Sequence, residues 1–268
     1  MNPSYAALSQ TKVSKRLRVF AGPNGSGKTT IINSIRKFRA NGKPIDFGVY
    51  INADDIASSL SSDKFSFRDY RLTRLTREEF IEVVLNSGLV GKGFSDEAFK
   101  RSFSMSKAGQ ISLRTKKYRD NLAQIIADFL RKKLLEEERK ISFETVFSHP
   151  SKVEFMREAL RRGYKNYFYF VSTKSPRINI YRIKNVRVKS GGHDVPEGKI
   201  EARYYRSLEL LYDAAETAYQ AFFFDNSESD GKFEPFAHFK VVGGEKQWDS
   251  FEGKEIPFWF DKYYLQKM

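Results

Sequence analysis

Leu17-Arg18-Val19-Phe20-Ala21-Gly22-Pro23-Asn24-Gly25-Ser26-Gly27-Lys28-Thr29-Thr30 is the stretch on which the reading of this chain turns. Leu17 to Ala21 is an apolar strand that runs straight into a glycine-rich turn. Behind the turn, Ile31, Ile32, Ile35 and Phe38 recur at helical spacing. Strand, glycine loop and helix are the setting that a phosphate-binding loop requires. Gly22 to Thr29 matches G-x-x-x-x-G-K-[ST] at every position. The glycines let successive N–H groups turn inward onto phosphate oxygens, and the helix that opens here adds its positive end. Lys28 is expected to reach the β- and γ-phosphates, and the Thr29 hydroxyl to ligate Mg²⁺. Gly22, Pro23, Asn24, Gly25, Ser26, Gly27, Lys28, Thr29 and Thr30 thus form the expected nucleotide-binding set, for ATP or GTP. The loop alone does not separate a kinase from an ATPase or a GTPase.

Working outward, a second strand is expected at Gly48 to Asn52, ending in Asn52-Ala53-Asp54-Asp55. Asp120 to Lys140 is helical, with Leu122, Ile125, Ile126, Phe129 and Leu134 in one apolar stripe. Ile141 to Phe147 reads as a strand carrying Glu144 and Thr145 near its end. Ser151 to Arg162 reads as a helix with Val153, Met156 and Leu160 inward, stopped by Gly163. Tyr167 to Val171 is a fully apolar strand of the kind buried in parallel sheets. Ser175-Pro176 opens a helix through about Lys189, and Gly191-Gly192 breaks it. A longer helix is expected from Glu197 to about Gln220. Ala221 to Phe224 is a further buried strand, closing in Asp225-Asn226-Ser227, and Ile256 to Leu265 is expected to pack as a helix. Strands alternating with helices predict an α/β fold of P-loop kinase type: a mainly parallel sheet with helices on both faces. The chain reads as one domain over residues 1–268, with a helical insertion at 58–118 and a C-terminal extension at 231–268.

The chain of 268 residues is long enough for a full hydrophobic core. It has no cysteine, which excludes disulfides and thiolate-ligated metals and is compatible with a reducing cytoplasm. No apolar run approaches the roughly 20 residues of a membrane span, and the N-terminal stretch lacks the apolar core of a secretory signal. A soluble, cytoplasmic protein with no membrane partner is expected. Its net charge of +14 attracts anions. The charge is spread along the chain, so it marks no single nucleic-acid-binding tail.

Beyond the loop, the chain resembles the zeta toxin family of bacterial P-loop kinases. The matching pieces stand in the family's order: Gly22 to Thr30, Asn52-Ala53-Asp54, Phe143-Glu144-Thr145, Arg182 with Arg187, Gly191-Gly192-His193-Asp194-Val195-Pro196, Arg203-Tyr204 with Arg206-Ser207, and Asp225-Asn226-Ser227. They span about residues 17 to 230. The glycine–glycine–histidine block is more similar to zeta-related chromosomal proteins than to plasmid-borne toxins. The resemblance implies the fold of small-molecule phosphotransferases such as shikimate and adenylate kinases. It also implies phosphorylation of a sugar hydroxyl of UDP-N-acetylglucosamine, and a small neutralising antitoxin as partner. The stretches 58–118 and 231–268 have no counterpart in it.

A kinase needs a carboxylate to orient the acceptor hydroxyl and accept its proton. Asp54, just past the second strand, lies at the sheet edge where open α/β sheets place ligands. By resemblance it is the family's catalytic aspartate. A loop or N-cap aspartate is the plainer reading, and Asp55 is the rival for either role. By resemblance, Glu144 and Thr145 lie on the acceptor side, where the alternative is a turn or cap role for Thr145. Arg187 shares a helix face with Ile180 and Ile183, which suits a charge that meets nucleotide, and arginine stabilises γ-phosphate charge strongly. Arg182 lies off that face and serves the acceptor or solvent. Pro176 to Glu197 is the lid candidate, hinged at Gly191 and Gly192. Arg203 is preferred by family position as a γ-phosphate or acceptor contact, against a solvated basic face with Arg206. Asn226 lies where related kinases approach the base. The catalytic set is therefore Asp54, Arg187, Arg203 and Lys28, with Glu144, Thr145, Arg182 and Asp55 on the acceptor side.

The leading expectation is phosphoryl transfer from ATP or GTP to a hydroxyl of a small molecule, a UDP-sugar among the candidates. Two rivals stand beside it. One is a nucleic-acid-directed kinase or ATPase, supported by the charge. The other is a nucleotide-binding regulatory protein that transfers nothing.

Overall fold

The computed structural model describes residues 14–88, 90–91, 93–189, 194–228, 234–249 and 255–268. The strands, in chain order, are β1 (Arg16–Ala21), β2 (Arg39–Ala40), β3 (Lys43–Pro44), β4 (Val49–Ile51), β5 (Phe103–Met105), β6 (Ile111–Leu113), β7 (Ile141–Thr145), β8 (Lys165–Ser172), β9 (Gln220–Asp225), β10 (Ala237–Val242) and β11 (Glu245–Trp248). The helices are α1 (Lys28–Lys37), α2 (Ala53–Ser61), α3 (Arg77–Leu85), α4 (Asp96–Ser102), α5 (Arg119–Glu136), α6 (Ser151–Arg161), α7 (Pro176–Arg182), α8 (Glu197–Glu209), α9 (Leu211–Glu216) and α10 (Phe258–Tyr263).

Seven strands form one sheet in the order β11-β10-β9-β8-β1-β7-β4. The five from β4 to β9 are parallel. β10 and β11 extend the sheet beyond β9 as an antiparallel hairpin. β2–β3 and β5–β6 are separate two-stranded ribbons. The strand that feeds the glycine loop, β1, is thus flanked by β7 and β8, and its carboxyl end opens between theirs.

The alternation along β1 decides what covers each face. Leu17, Val19 and Ala21 enter the large core with Phe143, Phe168, Phe170 and Phe223, under α5, α6, α8, α9 and α10. Phe20 enters a smaller core with Tyr169, Val171 and Phe224, under Ile31 and Ile32 of α1. Helices therefore cover both faces, but unequally. On the α1 face, aromatic rings stand in a register-matched row across neighbouring strands. Phe47 stacks on Phe20, Phe20 on Tyr169, Tyr169 on Phe222 and Phe222 on His238, with centroids 4.2 to 5.4 Å apart.

Local signals set the element boundaries. Asn52 caps α2, its side-chain oxygen accepting from the Asp54 N–H at 2.8 Å. Ser175 caps α7 with Pro176 in the first turn. Gly163, at φ 79°, ends α6 as expected.

Several expected boundaries shift. Ser58 to Ser61 belong to α2. From there to Tyr118 the chain builds an aromatic core of Phe65, Phe67, Phe80, Phe94, Phe99 and Phe103, all buried. Phe67 and Phe80 rest on Phe129 of α5 at 5.6 and 4.9 Å, so this region is continuous with the main core. The expected helix from Glu197 to Gln220 is two helices broken at Leu210, and Gln220 already begins β9. Leu160 is 49% exposed and Ala159 is buried in its place, while Phe38, just beyond α1, is 61% exposed. The stripe of α6 thus closes one position earlier than spacing suggests, and that of α1 ends at the half-buried Ile35. The hairpin β10–β11 replaces what composition left as an unassigned tail.

Candidate active site

β1 ends at Ala21 and Gly22 follows with a φ of 142°; a methyl there would stand 2.0 Å from the Val171 carbonyl oxygen of β8. At the other end of the loop Gly27 precedes α1 at φ 95°, and a methyl would stand 2.1 Å from Nδ2 of Asn226. Between them, the Ser26 hydroxyl is fully buried and has no hydrogen-bond partner within the protein. An unpaired buried hydroxyl costs about 1–3 kcal/mol. Lys28 lies across the loop, 7% exposed, its Nζ donating to the Pro23 carbonyl at 3.0 Å. Thr29 and Thr30 open α1 and are exposed. Two backbone positions that exclude a side chain, an orphaned hydroxyl and a lysine folded over the turn fit a cradle for phosphate oxygens. Thr29, in the first turn beside it, fits the residue that would hold magnesium.

On the β7 side stands a carboxylate held by three neighbours. Oε2 of Glu144 accepts from the Tyr50 hydroxyl at 3.3 Å and from Nδ2 of Asn52 at 3.2 Å. Its other oxygen, Oε1, lies 3.9 Å from Lys28 Nζ, with both side chains largely buried. Burial first, and Glu144 second, push the Tyr50 phenol above its ordinary range. The hydroxyl therefore stays a donor to Glu144. Arg36 of α1 sits over the Tyr50 ring at 4.6 Å. Asn52 works at both ends: its oxygen caps α2 and its amide nitrogen grips Glu144. Asp54 and Asp55 occupy the first turn of α2 and are exposed. Neither is the N-cap, which corrects the plainer of their two expected readings. Partial burial, then Asp54, push the Asp55 carboxyl above its ordinary value, and Arg36 opposes them. Thr145 makes a turn: its Oγ1 accepts from the Phe147 N–H at 3.1 Å and holds the buried Phe147 at φ 58°.

On the β9 side, Asn226 closes against the loop. Its Nδ2 donates to the Ser26 carbonyl at 2.8 Å, and its carbonyl accepts from Nη1 of Arg182 at 2.7 Å. Arg182 therefore sits with Asn226, across β1 from Glu144, and the structure does not bring those two expected acceptor residues together. Arg203 of α8 reaches the loop from above, its Nη1 3.4 Å from Oδ1 of Asn24. Half-burial, then Arg206, lower its pKa, yet a guanidinium stays charged. Arg187 ends a π-helical turn, Ile183–Arg187, that continues α7. Its side chain, the expected hinge at Gly191 and Gly192, and His193 of the same motif lie outside the described residues. A cleft of about 450 Å³, lined by Arg177, Ile178, Tyr181, Arg182, Val186 and Ser227, opens beside Asn226.

Sequence reasoning missed Tyr50, Asn52 and Asn179. Asn179, fully buried, donates to the Asn24 carbonyl at 2.8 Å and fixes the loop to α7. Strand periodicity already placed Tyr50 and Asn52 on one face of the second strand, and an Asn ahead of Ala-Asp-Asp is a helix-start signal. Nothing local marks Asn179, because its partner lies far away in the chain.

No protein-family profile matches the chain, and no curated protein sequence does. Solved structures do. A chain of the AvrRxo1-ORF1:AvrRxo1-ORF2 complex with sulphate ions superposes at TM-score 0.51 and 14% identity, over 87% of this chain and 60% of that one. The same complex with ATP matches at 0.46 and 13% identity, over 87% and 60%. The PezAT chromosomal toxin–antitoxin system of Streptococcus pneumoniae matches at 0.48 and 9% identity, over 97% of this chain and 82% of that one. This chain shares the α/β fold of the first. It spans 60% of the length of the AvrRxo1 chain that it matches.

Proposed function

We propose that this chain is a P-loop kinase of zeta-toxin type, which moves the γ-phosphoryl group of ATP or GTP to a hydroxyl of a small acceptor, with UDP-sugars the first to test. One observation carries the reading. Glu144 is fixed by Tyr50 and Asn52 so that its free oxygen faces the loop lysine. An oriented carboxylate beside the loop lysine supports a site that positions a reacting group as well as the nucleotide.

Lys28 and the loop amides would hold the phosphates and Thr29 the magnesium. Bound Mg-nucleotide supplies the transferable phosphoryl group. β7 separates β1 from β4, so the loop and the first turn of α2 stand about 10 Å apart across the sheet edge. That leaves room for an acceptor hydroxyl between them. Asp54 takes the hydroxyl proton on a carboxylate oxygen as the hydroxyl oxygen bonds to the γ-phosphorus and the nucleoside diphosphate departs, with Asp55 beside it as the alternative base. Glu144 orients Lys28 and the acceptor. Arg203, braced on Asn24, supplies positive charge where the transferred group becomes more negative. The nucleotide base takes the cleft beside Asn226. A small neutralising protein partner belongs to the same proposal and rests on the family resemblance.

The test is incubation of protein and Mg-ATP with a metabolite extract that contains UDP-sugars, read by mass spectrometry for a gain of one phosphate. Asp54→Asn keeps nucleotide binding within about threefold and lowers transfer by 10²–10⁴-fold, roughly the worth of a general base. Undiminished transfer by Asp54→Asn removes Asp54 from the role.

A further inference from the structure

The C-terminal region, which has no counterpart in the resemblance, ends in a helix that touches the nucleotide side of the site. Trp259 of α10 is 2% exposed, and its indole N–H donates to Oδ2 of Asp225 at 2.6 Å. Oδ1 of the same carboxylate accepts from the Ser227 N–H at 2.8 Å. The Ser227 hydroxyl in turn accepts from the Lys174 N–H at 2.7 Å, and the Asn226 N–H donates to the Ser172 carbonyl at 2.8 Å. Asn226 is thus held on both flanks. What it carries is the amide whose nitrogen fills the space beside Gly27 and bonds the Ser26 carbonyl.

We propose that Trp259 is a positioning residue for nucleotide binding, and that the C-terminal region serves as a clamp on the loop Asp225–Ser227. An indole N–H is a donor only, and a hydrogen bond to a carboxylate is about twice as strong as one between neutral groups. It fixes the carboxylate of Asp225, whose second oxygen sets the turn through Ser227. The turn aims the Asn226 amide at the phosphate loop, while the Asn226 carbonyl takes Arg182, a wall of the cleft beside it. A packing role alone would not require the N–H. Phe170, Phe236 and Phe260 surround the ring at 5.6 to 5.9 Å and would hold a phenyl as well.

The proposal rests on the kinase reading, and one set of measurements separates the two. Calorimetry of the wild type with Mg-ATP comes first, and absent uptake sinks both. Where the wild type binds, Trp259→Phe, which deletes the donor and keeps an aromatic ring, weakens Mg-ATP about tenfold, within the range for a charged hydrogen bond. Phe236→Leu loosens the same aromatic cluster without touching Asp225, and is expected to lower the melting temperature while keeping affinity within twofold. Equal affinity losses in both variants for equal losses of stability would reduce Trp259 to packing. The chain has two tryptophans, so Trp248→Phe leaves Trp259 as the sole indole. Its emission should shift on saturation with Mg-ATP, and an unmoved spectrum at proven saturation overturns the clamp.

Discussion

Alanine at Gly27 is the most direct probe of how the phosphate loop is built. A methyl there would stand 2.1 Å from Asn226 Nδ2, and ordinary contact begins near 3.4 Å, so the amide must retreat by about 1.3 Å. That breaks its 2.8 Å hydrogen bond to the Ser26 carbonyl, a loss of about 1 kcal/mol net. Alanine at φ 95° adds about 1–2 kcal/mol of left-handed strain. The sum, about 2–3 kcal/mol, is a large share of the roughly 5–15 kcal/mol that holds a domain folded. It should lower the melting temperature by roughly 4–12 °C. The decisive measurement is a double-mutant cycle by denaturant unfolding. In an Asn226→Ala background the colliding amide is gone, and the Asn226 Cβ stands 4.0 Å away, an ordinary contact. Gly27→Ala should then cost only the backbone strain, leaving a coupling of about 1 kcal/mol. Equal costs in both backgrounds would show that Asn226 does not press on the loop, and the architecture of the site would have to be redrawn.

Three further outcomes follow from particular contacts. Tyr50→Phe frees one oxygen of Glu144 from a donor and should reduce turnover by about tenfold while leaving nucleotide affinity unchanged; a change confined to affinity would move Tyr50 out of the acceptor side. Asp128→Ala strips the buried Arg131 of its partner at 3.0 Å and should cost about 3–5 kcal/mol in denaturant unfolding, with Arg131→Met restoring part of the loss; a cost under 1 kcal/mol would refute it. Burial, then Arg131, depress the Lys152 ammonium to about 8 from 10.5, so between those values the folded chain binds fewer protons than the unfolded one. Stability carried by this group is therefore full above 10.5 and is lost as pH falls through 8. Relative to wild type, Lys152→Met should be increasingly favoured as pH falls through that window, and parallel stability curves for the two proteins would contradict the shift.

The phosphate loop was legible because its requirement is local: glycines that can adopt positive φ, an apolar strand before and an amphipathic helix after. The parallel sheet was legible for the same reason, as β8 and β9 are largely apolar runs of strand length and β1 and β7 are short segments with apolar residues at strand spacing. What escaped depends on distant partners. Leu208, Leu211, Ala215 and Ala218 continue the apolar rhythm from Tyr204, so spacing reads one helix where the backbone breaks at Leu210. Leu160 kept the rhythm of α6, yet the smaller Ala159 faces the core, because room beside β8 decided between them. The β10–β11 hairpin is stabilised by pairing to β9 and by rings such as Trp248 against Phe239, at 4.8 Å, which no local window contains. At the site, Lys28, Glu144, Asn226 and Arg203 come together around the loop. The grip of Tyr50 and Asn52 on Glu144 spans more than 90 residues of chain.

The sheet order gives the two halves of the candidate site different mechanical footings. The glycine-loop half grows from β1, whose neighbours on both flanks are themselves flanked. Opening it means unzipping the middle of the molecule, and its amides should be among the slowest to exchange with solvent. The half that carries Asp54 and Asp55 hangs from β4, a three-residue strand at the rim with one neighbour. Such a rim can yield by a fraction of an ångström while the centre stays rigid. Under the kinase reading proposed above, a lineage could therefore drift from one acceptor to another by remodelling the periphery, keeping its nucleotide handling untouched.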